Sequence, residues 1–404
     1  MKPLSRDELV YGFTPEPGLV ALEHAPGDEA DAVTLFLRRD GQLTTRQEPF
    51  APFLWLTQAR FLDGFEPAPI LTPLAGDNPY AILARFPTWA ALERALGHLR
   101  KSTGRTLSDP AAPYFVLRDP VQQFMLDTGR TSFRDLLLTD LNFLFLDIET
   151  DCAPGREFSN PDREEDRILA IALADGQGWQ KILDGRDLDE KTMLKEFVRL
   201  VRLRNPDVVA GHNLFKFDLP YLETRARRCR VPLTLGRDGS KPQTHASRFN
   251  AAERVVSYPR THLQGRHVVD TYLLALIYDV SHRAMEGHSL KAVARHFGVA
   301  APHRTHIDGR EIAHAFRHDH AAFVRYAADD IRETAAITPI LLAASYAQSQ
   351  ILPIPLETVC VRGNAGKIEA LLLREYLRAR HSLPAPEPAR TFEGGYADLF
   401  FEGL

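Results

Sequence analysis

Residues 144–150 read Leu-Phe-Leu-Asp-Ile-Glu-Thr, an apolar run that closes by setting two carboxylates, Asp147 and Glu149, two residues apart. In a strand, side chains at i and i+2 leave the same face, so both acids would stand together. Like charges side by side repel, and the pair persists most readily where a cation or a shared proton compensates it. The alternative is an ordinary strand end entering a solvated turn. The rest of the chain has to decide between the two.

Outward from that strand, residues 138–347 alternate strands and helices. "RILAIALADG" and "GQGWQKILDG" supply a second and third strand, so the region opens as a meander with polar turns. "DEKTMLKEFVRLVRLRNP" puts Met193, Leu194, Phe197, Leu200 and Val201 on one helical side and ends before Pro206. "DVVAGHN" is a short strand, "FDLPYLETRARRC" opens a helix, and "GRHVVD" is a returning strand after a turn at Asp238-Gly239. Helices follow at "TYLLALIYD", "SLKAVARHFG", "GREIAHAFRH" and "DHAAFVRYAADDIRETAAI". The pattern predicts an α/β domain with a mixed sheet.

Residues 1–137 read as a β-rich domain. Asp40-Gly41 marks a hairpin turn, "PFLWLT" a strand, and Trp89, Leu92, Leu96 and Leu99 a core-facing helical stripe. Residues 348–404 hold one amphipathic helix, "GKIEALLLREYLRAR", and too little apolar material for a core of their own, so they dock on the preceding domain or begin another.

With 404 residues, a net charge of −4 and 25% charged residues, the chain is long enough for two or three soluble domains. That balance excludes a generally basic coat but not a local nucleic-acid channel. Cys152, Cys229 and Cys360 form no C-x-x-C pair, which fits a reducing compartment. No secretory signal and no membrane-length apolar run stands out, so a cytoplasmic location is expected.

Two further segments carry acids. In "GHNLFKFDLPYL", Asp218 lies at a strand-to-helix junction, open to the roles of helix cap and metal ligand, which can coexist. Asn213 is a partner for the loop backbone or for substrate, and Phe217 fills the core by default or packs on a base. In "YAADD", Tyr326 and Asp330 are four residues apart on one helical face, while Asp329 is turned away and expected to be solvated. Four gathered acids require cations. Two Mg2+ or Mn2+ ions, which suit hard oxygen donors, would make them a phosphodiester hydrolysis site, with Tyr326 positioning water or phosphate.

These motifs resemble the proofreading 3′-5′ exonuclease domain of family B DNA polymerases, a ribonuclease-H-like fold. The resemblance assigns metal binding to Asp147 and Glu149 in "DIET", to Asp218 in "NLFKFD" and to Asp330 after Tyr326, with Asn213 supporting. Arg325 stands where histidine-type relatives would carry His, so the tyrosine type fits. "LTLGRDGS" looks like the family's exonuclease hairpin, and Asp270 matches a recurrent acid expected to be structural or to support the ligands. "RGNAGKIEALLLREYLRAR" and "EGGYADLFFEGL" look like the lead-in to a palm, while the polymerase aspartate motifs are absent from the sequence.

The resemblance therefore implies a β-rich N-terminal domain over 1–137, the exonuclease domain over 138–347 and an incomplete palm over 348–404. The implied activity is metal-dependent removal of nucleotides from single-stranded or frayed 3′ ends, or from a primer-template, with a downstream polymerase polypeptide as possible partner. On this reading the chain alone shortens a primer and does not extend it. The resemblance leaves open an engineered piece, a truncated gene product and one half of a split polymerase as expectations for the chain. Two rivals stay open: a non-catalytic DNA-binding or assembly part of a polymerase, and a structure-specific nuclease of DNA repair.

Overall fold

The structure, a computed structural model, describes residues 5–386 apart from Pro154 and Glu253. They form two compact units that do not follow chain order. Residues up to Ala25, Ala32–Pro49 and Val121–Glu375 make one; Pro26–Asp31, Phe50–Pro120 and those from Tyr376 make the other.

In the smaller unit, four antiparallel strands are ordered Ile70–Pro73, Ile82–Arg85, Phe53–Leu56, Tyr114–Phe115. Helix Trp89–Thr103 covers them, started by the Thr88 side chain accepting from the Ala91 N–H and stopped by left-handed Gly104. The expected stripe is buried at Leu92, Leu96 and Leu99, with Trp89 only partly covered.

The larger unit is built on a five-stranded mixed sheet ordered Gln180–Asp184, Ile168–Ala174, Phe143–Thr150, Val208–Gly211, His267–Asp270. The first three strands are an antiparallel meander, with a long loop between Thr150 and Ile168 and a short turn between Ala174 and Gln180, and the last two join in parallel after crossovers. The strand carrying Asp147 and Glu149 is central and pairs Phe145 with Ala174, Asp147 with Ala172 and Glu149 with Ala170. Alternation puts Leu144, Leu146 and Ile148 on the other face, in a core with Phe197 and Val201 of helix Glu190–Arg204 and Leu219 and Leu222 of helix Asp218–Arg228.

The alanine row on Ile168–Ala174 decides what approaches the acid face. Small side chains let the 30-residue helix His320–Ser349 lie close, and Ala172 and Ala174 share a core with its Ala327, Ile331 and Ile337. The N-terminal sheet, Leu19–Ala25, Asp31–Arg39 and Gln42–Phe50, joins that core through Val20, Ala21 and Phe36. Its Asp40-Gly41 turn has both residues at positive φ, as two-residue hairpins require.

The hairpin lies elsewhere than expected. "LTLGRDGS" contains a turn, with the Gly239 N–H donating to the Gly236 carbonyl, but no strand; the long antiparallel pair is Gln243–Ala251 with Arg254–His262. Asp-Gly chemistry located a real turn, and strand pairing began only after it. The amphipathic tail forms helix Asn364–Ala379, whose Ala370 packs with Leu352, Ile354 and Val359, and whose buried Arg374 donates to the carbonyls of Ile351 and Leu9. Leu356 and Cys360, ahead of that helix in the chain, enter the core beside helix His320–Ser349. "EGGYADLFFEGL" lies outside the described residues. Among the described residues no helix is long and apolar enough to cross a membrane.

Candidate metal centre

The central strand presents Asp147 and Glu149 to the face covered by helix His320–Ser349, and that helix brings Asp330 to them. One carboxylate oxygen from each of the three lies within 4.8 Å of the others. Glu149 and Asp330 are buried, and Asp147 is partly exposed. Asp218 is the first residue of its helix, yet it does not cap it. Its Oδ1 instead accepts a 3.0 Å hydrogen bond from the Ile148 N–H, the peptide between the two strand acids. Asp218 is thus tied to the strand, beside the three converging acids rather than among them.

The electrostatics are those of a site with more negative than positive charge. Burial first, then Glu149, Asp218 and Asp330, pushes Asp147 well above the usual carboxylate range, against the opposing pull of Lys291. Burial and Asp330 do the same to Glu149, and burial raises Asp218 to about 8 despite the Ile148 N–H. Asp330 is also raised by burial, with Arg304 and Lys291 opposing. Burial and the surrounding acids hold the Tyr326 hydroxyl protonated far above its ordinary range. A divalent cation would restore the carboxylates to their charged form. The converging donors are all carboxylate oxygens, a set that fits a hard divalent ion and has no thiolate or imidazole to favour a softer one.

Three residues at this site escaped the sequence reading. Lys291 Nζ lies 3.1 Å from the Tyr326 hydroxyl and 4.6 Å from its ring centre. Buried Arg304 pairs with Asp330 and, at 2.7 Å, with Glu333. Glu333 lay three residues beyond Asp330 on the same helical face and was legible on that ground. Lys291 and Arg304 reach the site from a separate helix and a loop, and no local pattern announces such a meeting.

Asn213 sits at φ 67 in the turn after its strand. Its N–H donates to Asp270, and its carbonyl accepts from the N–H groups of Lys216 and Phe217. Asn tolerates this left-handed conformation better than most side chains. Phe217 is partly buried against Tyr221 and, with Glu149 and the exposed Phe158, lines an open cavity of about 500 Å³. Asp270 is structural: its carboxylate also accepts from the N–H groups of Phe215 and Tyr272. Asp329 corrects an expectation. It is turned from the acid cluster but is buried, not solvated, with the Thr305 N–H and Arg332 as its partners.

Residues 186–277 match the family model described as DNA polymerase family B, exonuclease domain. Over that stretch this chain carries an exonuclease domain of the family B DNA polymerase kind. A curated DNA polymerase of Archaeoglobus fulgidus is 30% identical over 249 residues, covering 61% of this chain and 29% of the relative. One from Pyrococcus glycovorans is 27% identical over 290 residues, covering 66% and 34%. The chain spans about a third of the length of these relatives. The solved family B DNA polymerase of Pyrobaculum calidifontis shares the fold with a TM-score of 0.72 at 20% identity, over 93% of this chain and 52% of that one. The fold is ribonuclease-H-like, a mixed sheet with Asp147 and Glu149 on its central strand.

Proposed function

We propose that this chain hydrolyses phosphodiester bonds from the 3′ end of single-stranded or frayed DNA, as the proofreading portion of a family B DNA polymerase. Two Mg2+ or Mn2+ ions would be held by Asp147, Glu149, Asp218 and Asp330. The observation that carries the reading is the convergence of Asp147, Glu149 and Asp330 within 4.8 Å, with charge that nothing among the described residues fully balances.

When bound, such ions supply an activated water and charge stabilisation at the leaving oxygen. The chain's own groups do the rest. Tyr326, protonated across the working range, donates a hydrogen bond to water or phosphate. Lys291, beside that hydroxyl, offers a positive charge to the phosphate. Phe217, on the wall of the cavity that opens beyond Glu149, holds the terminal nucleotide, with Asn213 supporting. On this reading residues 1–137 are the N-terminal domain, 138–347 the exonuclease domain and 348–404 the beginning of a palm, with DNA and a downstream polymerase portion as partners.

The test is a labelled single-stranded oligonucleotide. It should lose nucleotides from its 3′ end with Mg2+ or Mn2+ and remain intact in EDTA. The double variant Asp147→Ala/Glu149→Ala should keep the circular dichroism of the native fold and lose cleavage. Digestion at an unchanged rate without metal would overturn the mechanism, and metal-dependent DNA binding without cleavage would favour a binding or assembly module.

A further inference from the structure

A second charged constellation lies at the opposite end of the sheet from the acids. Strands Val208–Gly211 and His267–Asp270 start together, Val208 paired with both Phe143 and His267, and the acids come four and six residues further along the central strand. That offset is roughly 13–20 Å. Here an open cavity of about 580 Å³ is lined by residues including Arg202, Asn205, Gly236, Arg237, Asp238 and Arg266.

The arginines are unequally served. Arg38 and Arg237 share the fully enclosed carboxylate of Asp207. Arg266 is 3% exposed and has no carboxylate partner: Nε donates to the Leu235 carbonyl, and Nη1 to the Pro206 carbonyl and Asn205 Oδ1. Its Nη2 has no hydrogen-bond partner among the described residues. Burial and then the neighbouring Arg237 charge bring the guanidinium down to about 9, in keeping with a cation short of compensation. A neutral acceptor satisfies a guanidinium N–H but leaves its charge unmatched.

The turn that forms one wall of the cavity brings a further donor beside it. The Ser240 hydroxyl is buried without a hydrogen-bond partner. Gly236, on the cavity wall, lets the turn fold back on itself: a Cβ on it would stand 2.4 Å from Ser240 Oγ and 2.6 Å from Asp238 Oδ1. Asp238, the acid in the lining, is occupied by the Ser240 N–H, and Arg202 stands exposed at the rim with Thr234 as its partner.

We propose that this cavity is a binding site for a phosphate group, the monoester of a nucleotide or the diester of a nucleic-acid strand, held by Arg266, Arg202 and the Ser240 hydroxyl. Guanidinium forks match phosphate oxygens, and an anion here supplies the charge that Arg266 lacks. The site is separate from the metal centre and does not depend on its chemistry.

Isothermal titration calorimetry on the whole chain in EDTA tests it with three probes: inorganic phosphate, 5′-deoxyadenosine monophosphate and a short oligothymidylate. Binding of the first two identifies a monoester site, and binding of the oligothymidylate alone a diester site. In either case Arg266→Lys, Arg202→Ala and Ser240→Ala should each weaken the bound probe about tenfold, as loss of a charge-assisted contact does. Cleavage of single-stranded DNA with metal should be unchanged in the same variants. If none of the probes binds at low salt, or if all variants bind like the native chain, the proposal is overturned. Should Arg266→Lys fail to fold, the exposed Arg202→Ala decides alone. Loss of the exonuclease reading would leave these titrations unaffected.

Discussion

Replacing Asp207 by Asn removes a charge from a carboxylate with no solvent exposure. Its Oδ1 accepts from Arg38 Nη2 at 2.8 Å and Arg237 Nη2 at 2.6 Å, and its Oδ2 from Arg38 Nε at 2.8 Å and the Asn142 N–H at 2.9 Å. Asn142 leads directly into the strand that carries Asp147. Asparagine is nearly isosteric, but its NH2 would face donors, and two buried guanidinium groups would lose their counter-charge. Breaking such a pair costs about 3–5 kcal/mol. In urea the unfolding midpoint should fall by roughly 1–2 M at neutral pH with little change in slope. Burial alone would raise the Asp207 carboxyl, but the two arginines outweigh it and hold the group below the usual range. A depressed folded-state pKa contributes stability above the unfolded value and loses it as pH falls through the folded one. The gap between native chain and variant should therefore be full at neutral pH and narrow below about pH 4. A midpoint shift under about 0.3 M at neutral pH, or one that stays constant down to pH 3, would refute the reasoning.

Two other outcomes follow from the same structure. Tyr326→Phe should leave divalent-ion binding by calorimetry nearly unchanged while slowing cleavage by roughly 10- to 100-fold, since the hydroxyl positions a reactant and is not a ligand; loss of ion binding would contradict that division. His262 is opposed by burial, but Glu23 and Glu357 win and raise it to about 11, so its stabilisation is full below its unfolded pKa near 6.5 and lost as pH climbs toward 11. Urea midpoints of His262→Gln should accordingly flatten over that window relative to the native chain, and a parallel pH profile would count against the ion cluster.

Much of the local structure was legible because its causes are local. The period-2 run at residues 144–150, the stripe at Met193, Leu194, Phe197, Leu200 and Val201, and the Asp40-Gly41 turn each act within a few residues, and each element formed where expected. Errors came where partners are distant. Asp329 was read as solvated because helical spacing turns it from Asp330; spacing says nothing of the loop that brings Thr305 over it. The hairpin was set at a genuine turn, since Asp-Gly reports backbone conformation but not which strands pair beyond it.

By itself the sequence determined the alternation of the sheet's strands with helices and the shared face of Asp147 and Glu149, since side-chain period is written along the chain. Tertiary structure alone decided that Asp218 is tied to the strand through the Ile148 N–H, that Lys291 and Arg304 stand against Tyr326 and Asp330, and that Arg266 is buried without a carboxylate. Each of these depends on segments tens of residues apart meeting in space. Charge compensation in a buried site depends on distance through the fold, for which separation along the chain provides no measure.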